Sequence, residues 1–103
     1  MNIKYNLNGK IEVKIGEITK CDWPIFEVNL INGYAISVNA DNSNFIIKET
    51  TIGEIAKVYN IKDTIEILRE VSGLKEVALA AVEAALRKEY NYLTNNGRCI
   101  VIF

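Results

Sequence analysis

SGLKEVALAAVEAALRKEYNYL, residues 72–93, decides how the rest of the chain reads. It is built almost wholly of strong helix formers and predicts one long helix. Between Val77 and Leu86 only Glu83 is polar, so the helix is apolar on nearly every side. Such a helix is expected to be buried, or covered on two sides. Its alanines, Ala78, Ala80, Ala81, Ala84 and Ala85, leave room for another backbone to come close. With Val77, Ala81 and Ala84 at helical spacing, the expectation is a small-residue face packed on a sheet. The stretch speaks of packing more than of chemistry.

Upstream of it the chain reads as two shorter helices. Thr51-Ile52-Gly53-Glu54 fits a capping box, in which the Thr hydroxyl accepts from a free backbone N–H and the Glu reaches back. Ile52, Ile55, Ala56 and Tyr59 follow on one helical stripe. Asp63-Thr64-Ile65-Glu66 repeats the signal before Leu68 and Val71, and Gly73 stops it.

The first half alternates at period two instead. Residues 2–7 and 10–18 flank Asn8-Gly9, and residues 25–31 and 34–38 flank Asn32-Gly33. Both dipeptides tolerate positive φ and predict two-residue type I′ hairpin turns. Pro24, the single proline, breaks the pattern between the hairpins. Residues 39–44 form a polar loop, and Phe45-Ile46-Ile47 adds a short strand. After Asn95-Asn96-Gly97, residues 99–103 read as an apolar final strand. The expected fold is therefore α+β: an antiparallel meander of four or five strands, then three helices, then a short strand, in one domain spanning residues 1–103.

Composition removes several functions. Twelve basic residues face thirteen acidic ones, for a net charge of −1, and no basic run supplies the footprint of a nucleic-acid binder. No stretch is long and apolar enough to span a bilayer, and the N-terminus lacks the build of a signal peptide, so a cytoplasmic protein with no membrane or nucleic-acid partner is expected. Two cysteines are too few for a disulfide scaffold or a thiolate zinc site, and there is no histidine. Without histidine there is no Ser–His or Cys–His nucleophile pair. No cofactor, no transition-metal site and no catalytic constellation is expected; carboxylate, lysine or tyrosine chemistry stays open.

The order of elements, with Thr51-Ile52-Gly53-Glu54-Ile55-Ala56 before a helix carrying residues 75–84, resembles the enolase-N-terminal-like domain that precedes a proposed heavy-metal-chelation, Rossmann-like domain. The resemblance covers roughly residues 34–103. It implies a capping domain whose ligand site is completed by a partner. Two departures stand out: residues 39–44 replace a glycine-rich loop, and Glu83 stands where the family's helix carries an asparagine. Metal-chelation chemistry is therefore not carried over.

Three places carry candidate ligand-binding groups. Asp41, Asn42, Ser43 and Asn44 offer oxygens to a hard cation or small ligand, or simply make a turn. Trp23, in Cys21-Asp22-Trp23-Pro24, is either a binding hot spot or a core anchor. Glu83 is either ion-paired with Arg87 four residues on, or faces a cleft. The expected function is a small non-enzymatic ligand-binding or protein-interaction module, acting on a protein partner or a second copy. The alternatives are a carboxylate enzyme or hard-metal binder using Glu83 and the Asp41 loop, and a virus- or host-encoded inhibitor.

Overall fold

Alternation at period two lays one face of each strand on a core and leaves the other wet. The computed structural model shows that pattern carried through six strands and two helices. It describes the backbone of residues 2–22 and 24–97, and the side chains of all of these except residues 7, 20–22 and 92–97. In chain order the elements are β1 (Asn2–Leu7), β2 (Ile11–Asp22), β3 (Ile25–Leu30), β4 (Tyr34–Asn39), β5 (Asn44–Glu49), β6 (Gly53–Val58), α1 (Ile61–Val71) and α2 (Glu76–Gly97). The strands form one antiparallel meander, ordered β1 to β6 in space as in sequence. The α+β class is as expected.

The register explains the core. Val28, Ile36, Ile47 and Ala56 stand in one cross-strand row, and Phe26, Val38, Phe45 and Val58 in the next. From Val28 to Ile47, and from Phe26 to Phe45, these side chains are essentially inaccessible. Both helices lie over this face, α1 bringing Ile61, Ile65 and Leu68 and α2 bringing Ala78, Leu79, Val82, Leu86 and Tyr90. Each large side chain buried this way stabilises by roughly 1.5–3 kcal/mol. The intervening rows, such as Glu27, Ser37, Ile46 and Lys57, occupy the opposite face.

Several local expectations are corrected. Thr51-Ile52-Gly53-Glu54 does not start a helix. It is the tip of the β5–β6 hairpin and the start of β6, so there are two helices and not three, and six strands and not four or five. The Glu49 carboxylate accepts from the Thr51 hydroxyl at 2.6 Å and from the Thr51 and Ile52 N–H groups at 3.1 and 3.0 Å. The same residue types that cap a helix here close a hairpin, and these bonds, the Thr51 hydroxyl first, hold the Glu49 carboxyl below its usual range. Half of the segment pair behind the enolase-like resemblance is thus turn and strand.

Helix α1 begins earlier than Asp63. Asn60 is its cap, accepting from Asp63 N at 2.7 Å while its amide donates to the Asp63 carboxylate at 3.0 Å. Both Asn-Gly turns are three-residue loops, since Leu7 pairs with Ile11, and β3 ends at Leu30 while β4 begins at Tyr34. At the second, Gly33 N donates to Leu30 O and Gly33 alone of the loop takes positive φ, +92°. This is a turn followed by a left-handed residue, not type I′.

The long helix buries one stripe only. Val77 and Ala84, expected against the sheet, are exposed, as is Ala80, while Ala81 and Ala85 are half-buried. Leu79, Val82, Leu86 and Tyr90, with the small Ala78, take the core positions, and burying the four larger side chains removes most of the apolar area from water. The expected strand over residues 99–103 lies outside the described residues. Where α1 hands over to α2, Arg69 grips both Glu76 oxygens at 2.7 and 2.9 Å and also meets Glu66. The guanidinium holds the Glu76 carboxyl below its usual range, and the two carboxylates raise that of Arg69.

Candidate functional site

The polar loop between β4 and β5 is organised by its own side chains. Asn39 Oδ1 accepts from the N–H of Asp41 at 3.0 Å and of Asn42 at 3.4 Å, an Asx turn. Ser43 takes positive φ, +53°, and Asn44 pairs with Asn39 as β5 begins. The Tyr90 hydroxyl donates to Ala40 O at 3.1 Å and lies 2.7 Å from Ser43 Oγ, so the serine is left to donate to the tyrosine. The Tyr90 ring stacks on Phe45, with centroids 5.8 Å apart. Ser43 is thereby committed to holding the loop on α2, while Asp41 and Asn42 point into solvent.

Glu83 sits seven residues before Tyr90, about 10 Å along the helix axis. Its carboxylate accepts from Arg87 Nε at 3.0 Å and from the terminal guanidinium nitrogen at 2.8 Å, the i,i+4 pair that the spacing suggests. Arg87 in turn lines a shallow depression with Asn60, Lys62 and Asp63 at the start of α1. Glu83 and the Tyr90 that holds the Asp41 loop thus lie about two helical turns apart near the middle of α2. Trp23 lies outside the described residues, and no cluster of metal-ligating side chains forms among those described.

A different surface gathers residues that sequence alone does not connect. Because the strands alternate in direction, the β1–β2, β3–β4 and β5–β6 turns all fall at one end, and α1 ends and α2 begins there too. Hydrogen bonds lock this pole together. Thr50 donates to Gly33 O through its N–H at 2.9 Å and its hydroxyl at 2.7 Å, joining two hairpin tips. Asn32 Nδ2 reaches Ser72 O at 3.2 Å and the Tyr34 hydroxyl reaches Val71 O at 2.8 Å, so the β3–β4 turn caps the end of α1. Ile31 N donates to Ile15 O at 3.0 Å, tying in β2.

Six large hydrophobic side chains are exposed among the described residues, and five belong to this pole. Ile31 (67%) and Ile52 (74%) crown the two tied hairpins; Val71 and Val77 flank them at the helix ends; Ile11 stands on the β1–β2 ribbon that projects past Gly16. Only Tyr59 lies at the opposite end. No local motif marks these residues; only the topology brings them together. No helix of the described residues is long and apolar enough to cross a membrane. The chain matches no protein-family model, no curated protein and no solved structure.

Proposed function

We propose that the chain is a non-enzymatic protein-interaction module that docks on a partner protein through the pole of Ile31, Ile52, Val71, Val77 and Ile11. The observation that carries this reading is the concentration, among the described residues, of exposed aliphatic side chains at one end. Scattered exposed apolar residues are ordinary, but several gathered at one end of a hydrogen-bonded platform favour an interaction site. The platform is pre-ordered by the Thr50–Gly33, Asn32–Ser72 and Tyr34–Val71 bonds, which limits the entropy lost on docking. Such a surface suits a chain that acts on another protein, by completing its site or by blocking it. Two of the groups the carboxylate-enzyme alternative would use are otherwise engaged, Glu83 by Arg87 and Ser43 by Tyr90.

The test compares the wild-type chain with Ile31→Asp/Ile52→Asp in affinity purification from the cells that make it. Both positions are exposed, so the variant keeps its fold, checked by circular dichroism. A protein recovered stoichiometrically with the wild type and lost with the variant supports the reading. Equal recovery with both removes the pole as the docking surface.

A further inference from the structure

Strand β1 is the end of the sheet: among the described residues it pairs with β2 alone. In an antiparallel ladder alternate residues turn their N–H and C=O groups away from the partner, so an end strand presents a row of them outward. Helix α2 runs beside this edge. Asn2, Ile3 and Lys4 on the strand side and Ala81, Ala84, Ala85 and Lys88 on the helix side enclose a cleft of about 200 Å³. The cleft exists because the helix places alanines there; any longer side chain would fill it. Exposed Val77 and Ala80 extend the apolar strip along the helix. Charge at the cleft has one sign. Lys88 forms no ion pair among the described residues, and Lys4 has only a loose exposed contact of 3.5 Å with Glu12.

We infer that this cleft takes an extended segment of a partner protein as an added strand on β1, with a small apolar side chain over Ala81, Ala84 and Ala85 and an acidic side chain beside Lys88 or Lys4. Three independent features select that occupant. The β1 edge, which no described residue other than those of β2 pairs, supplies main-chain hydrogen bonds that only an extended backbone matches. The alanine floor admits a small apolar group, and because successive side chains of a strand point to opposite faces, every second residue of the segment meets that floor. The two lysines favour acid and disfavour base in the same segment. A second copy of this chain fits less well, because its own β1 would set Lys4 against this cationic rim. The inference is separate from the pole reading: Val77 borders both surfaces, but the hairpin tips of Ile31 and Ile52 line no part of the cleft.

Selection of a random decapeptide library on the whole chain tests this. The expected winners alternate small apolar and acidic residues. Their affinity falls at least tenfold with Ala84→Glu and with Lys88→Glu, both at exposed positions that leave the fold intact, and stays unchanged with Ile31→Asp/Ile52→Asp. An N-methyl scan of the best peptide should then cost at least tenfold at alternate positions and little at those between, the signature of pairing along one edge. Peptides indifferent to both cleft variants, or an N-methyl scan without period two, overturn the inference. So does a library that yields no binder, or a chain whose dimerisation is abolished by Ala84→Glu, which would make the occupant a second copy.

Discussion

Replacing Gly16 by Ala adds one methyl group at a crowded point of the sheet. Gly16 is where β2 leaves β1 and is flanked on both sides, by Ile3 and by Leu30. A Cβ there would sit 2.5 Å from the Asn29 carbonyl oxygen, 2.9 Å from Leu30 Cδ2 and 3.1 Å from Leu30 Cα. The first contact is roughly 1 Å closer than a comfortable one. The Leu30 side chain can turn, but Asn29 O is backbone, so β2 and β3 must separate. Overpacking of this kind costs about 1–3 kcal/mol, and each weakened ladder bond adds about 1 kcal/mol. The restricted unfolded chain returns about 0.4–1 kcal/mol. The net expectation is a loss of roughly 2–4 kcal/mol, a large share of the stability of a domain this size. In thermal unfolding followed by circular dichroism the midpoint should drop by about 10–20 °C. A variant within about 0.5 kcal/mol of the parent, the range of ordinary surface changes, would refute the close approach and with it the handover between β1 and β3.

Further outcomes follow from other contacts. Tyr90→Phe keeps the ring on Phe45 but strands the Ala40 carbonyl, and should cost about 1–3 kcal/mol in denaturant unfolding; a neutral result would mean that the hydroxyl does not hold the loop. Gly33→Val forces a β-branched residue to a φ of +92°, with no close contact at its Cβ, and should lose about 1–2 kcal/mol in denaturant unfolding through that backbone strain. Arg69→Met should return the Glu76 carboxyl to its ordinary range in an NMR titration. Because the folded value of Glu76 is depressed, its contribution is present above the unfolded carboxylate value and fades as pH falls through the folded one. The variant should lose that part of the acid dependence, and an unmoved Glu76 titration would contradict the ion pair.

The sequence makes some elements plain and hides others for physical reasons. Alternation around Asn8-Gly9 and Asn32-Gly33 reveals two hairpins, because turn chemistry and side-chain period agree there. The six residues of β6 do not reveal themselves: Ile55, Ala56 and Tyr59 fit a helical stripe as well as Ala56 and Val58 fit a strand face. What decides between them is pairing with β5, a contact the local pattern cannot contain. Helix α2 is recognisable from its composition, but its buried side is not, since apolar residues surround it and packing against the rest of the fold selects the stripe. Strand β2 outruns its alternation because the register shifts between Ile18 and Lys20. The candidate pole is the least legible feature. Ile11, Ile31, Ile52, Val71 and Val77 lie far apart in sequence, and only the alternating strand directions gather them. The Asp41 loop, by contrast, is legible as a turn from its residue types, and its hydrogen bonds are those of a turn.

The docking role of the pole is tested most directly by placing a photo-crosslinking amino acid at Ile31 or Ile52 in the cells that make the protein. Positions Glu27, on the open sheet face, and Lys62, at the start of α1, serve as controls. The account predicts one discrete protein adduct of the same mass from both pole positions and none from the controls. Adducts from the controls alone, or the same adducts from all four positions, would contradict it.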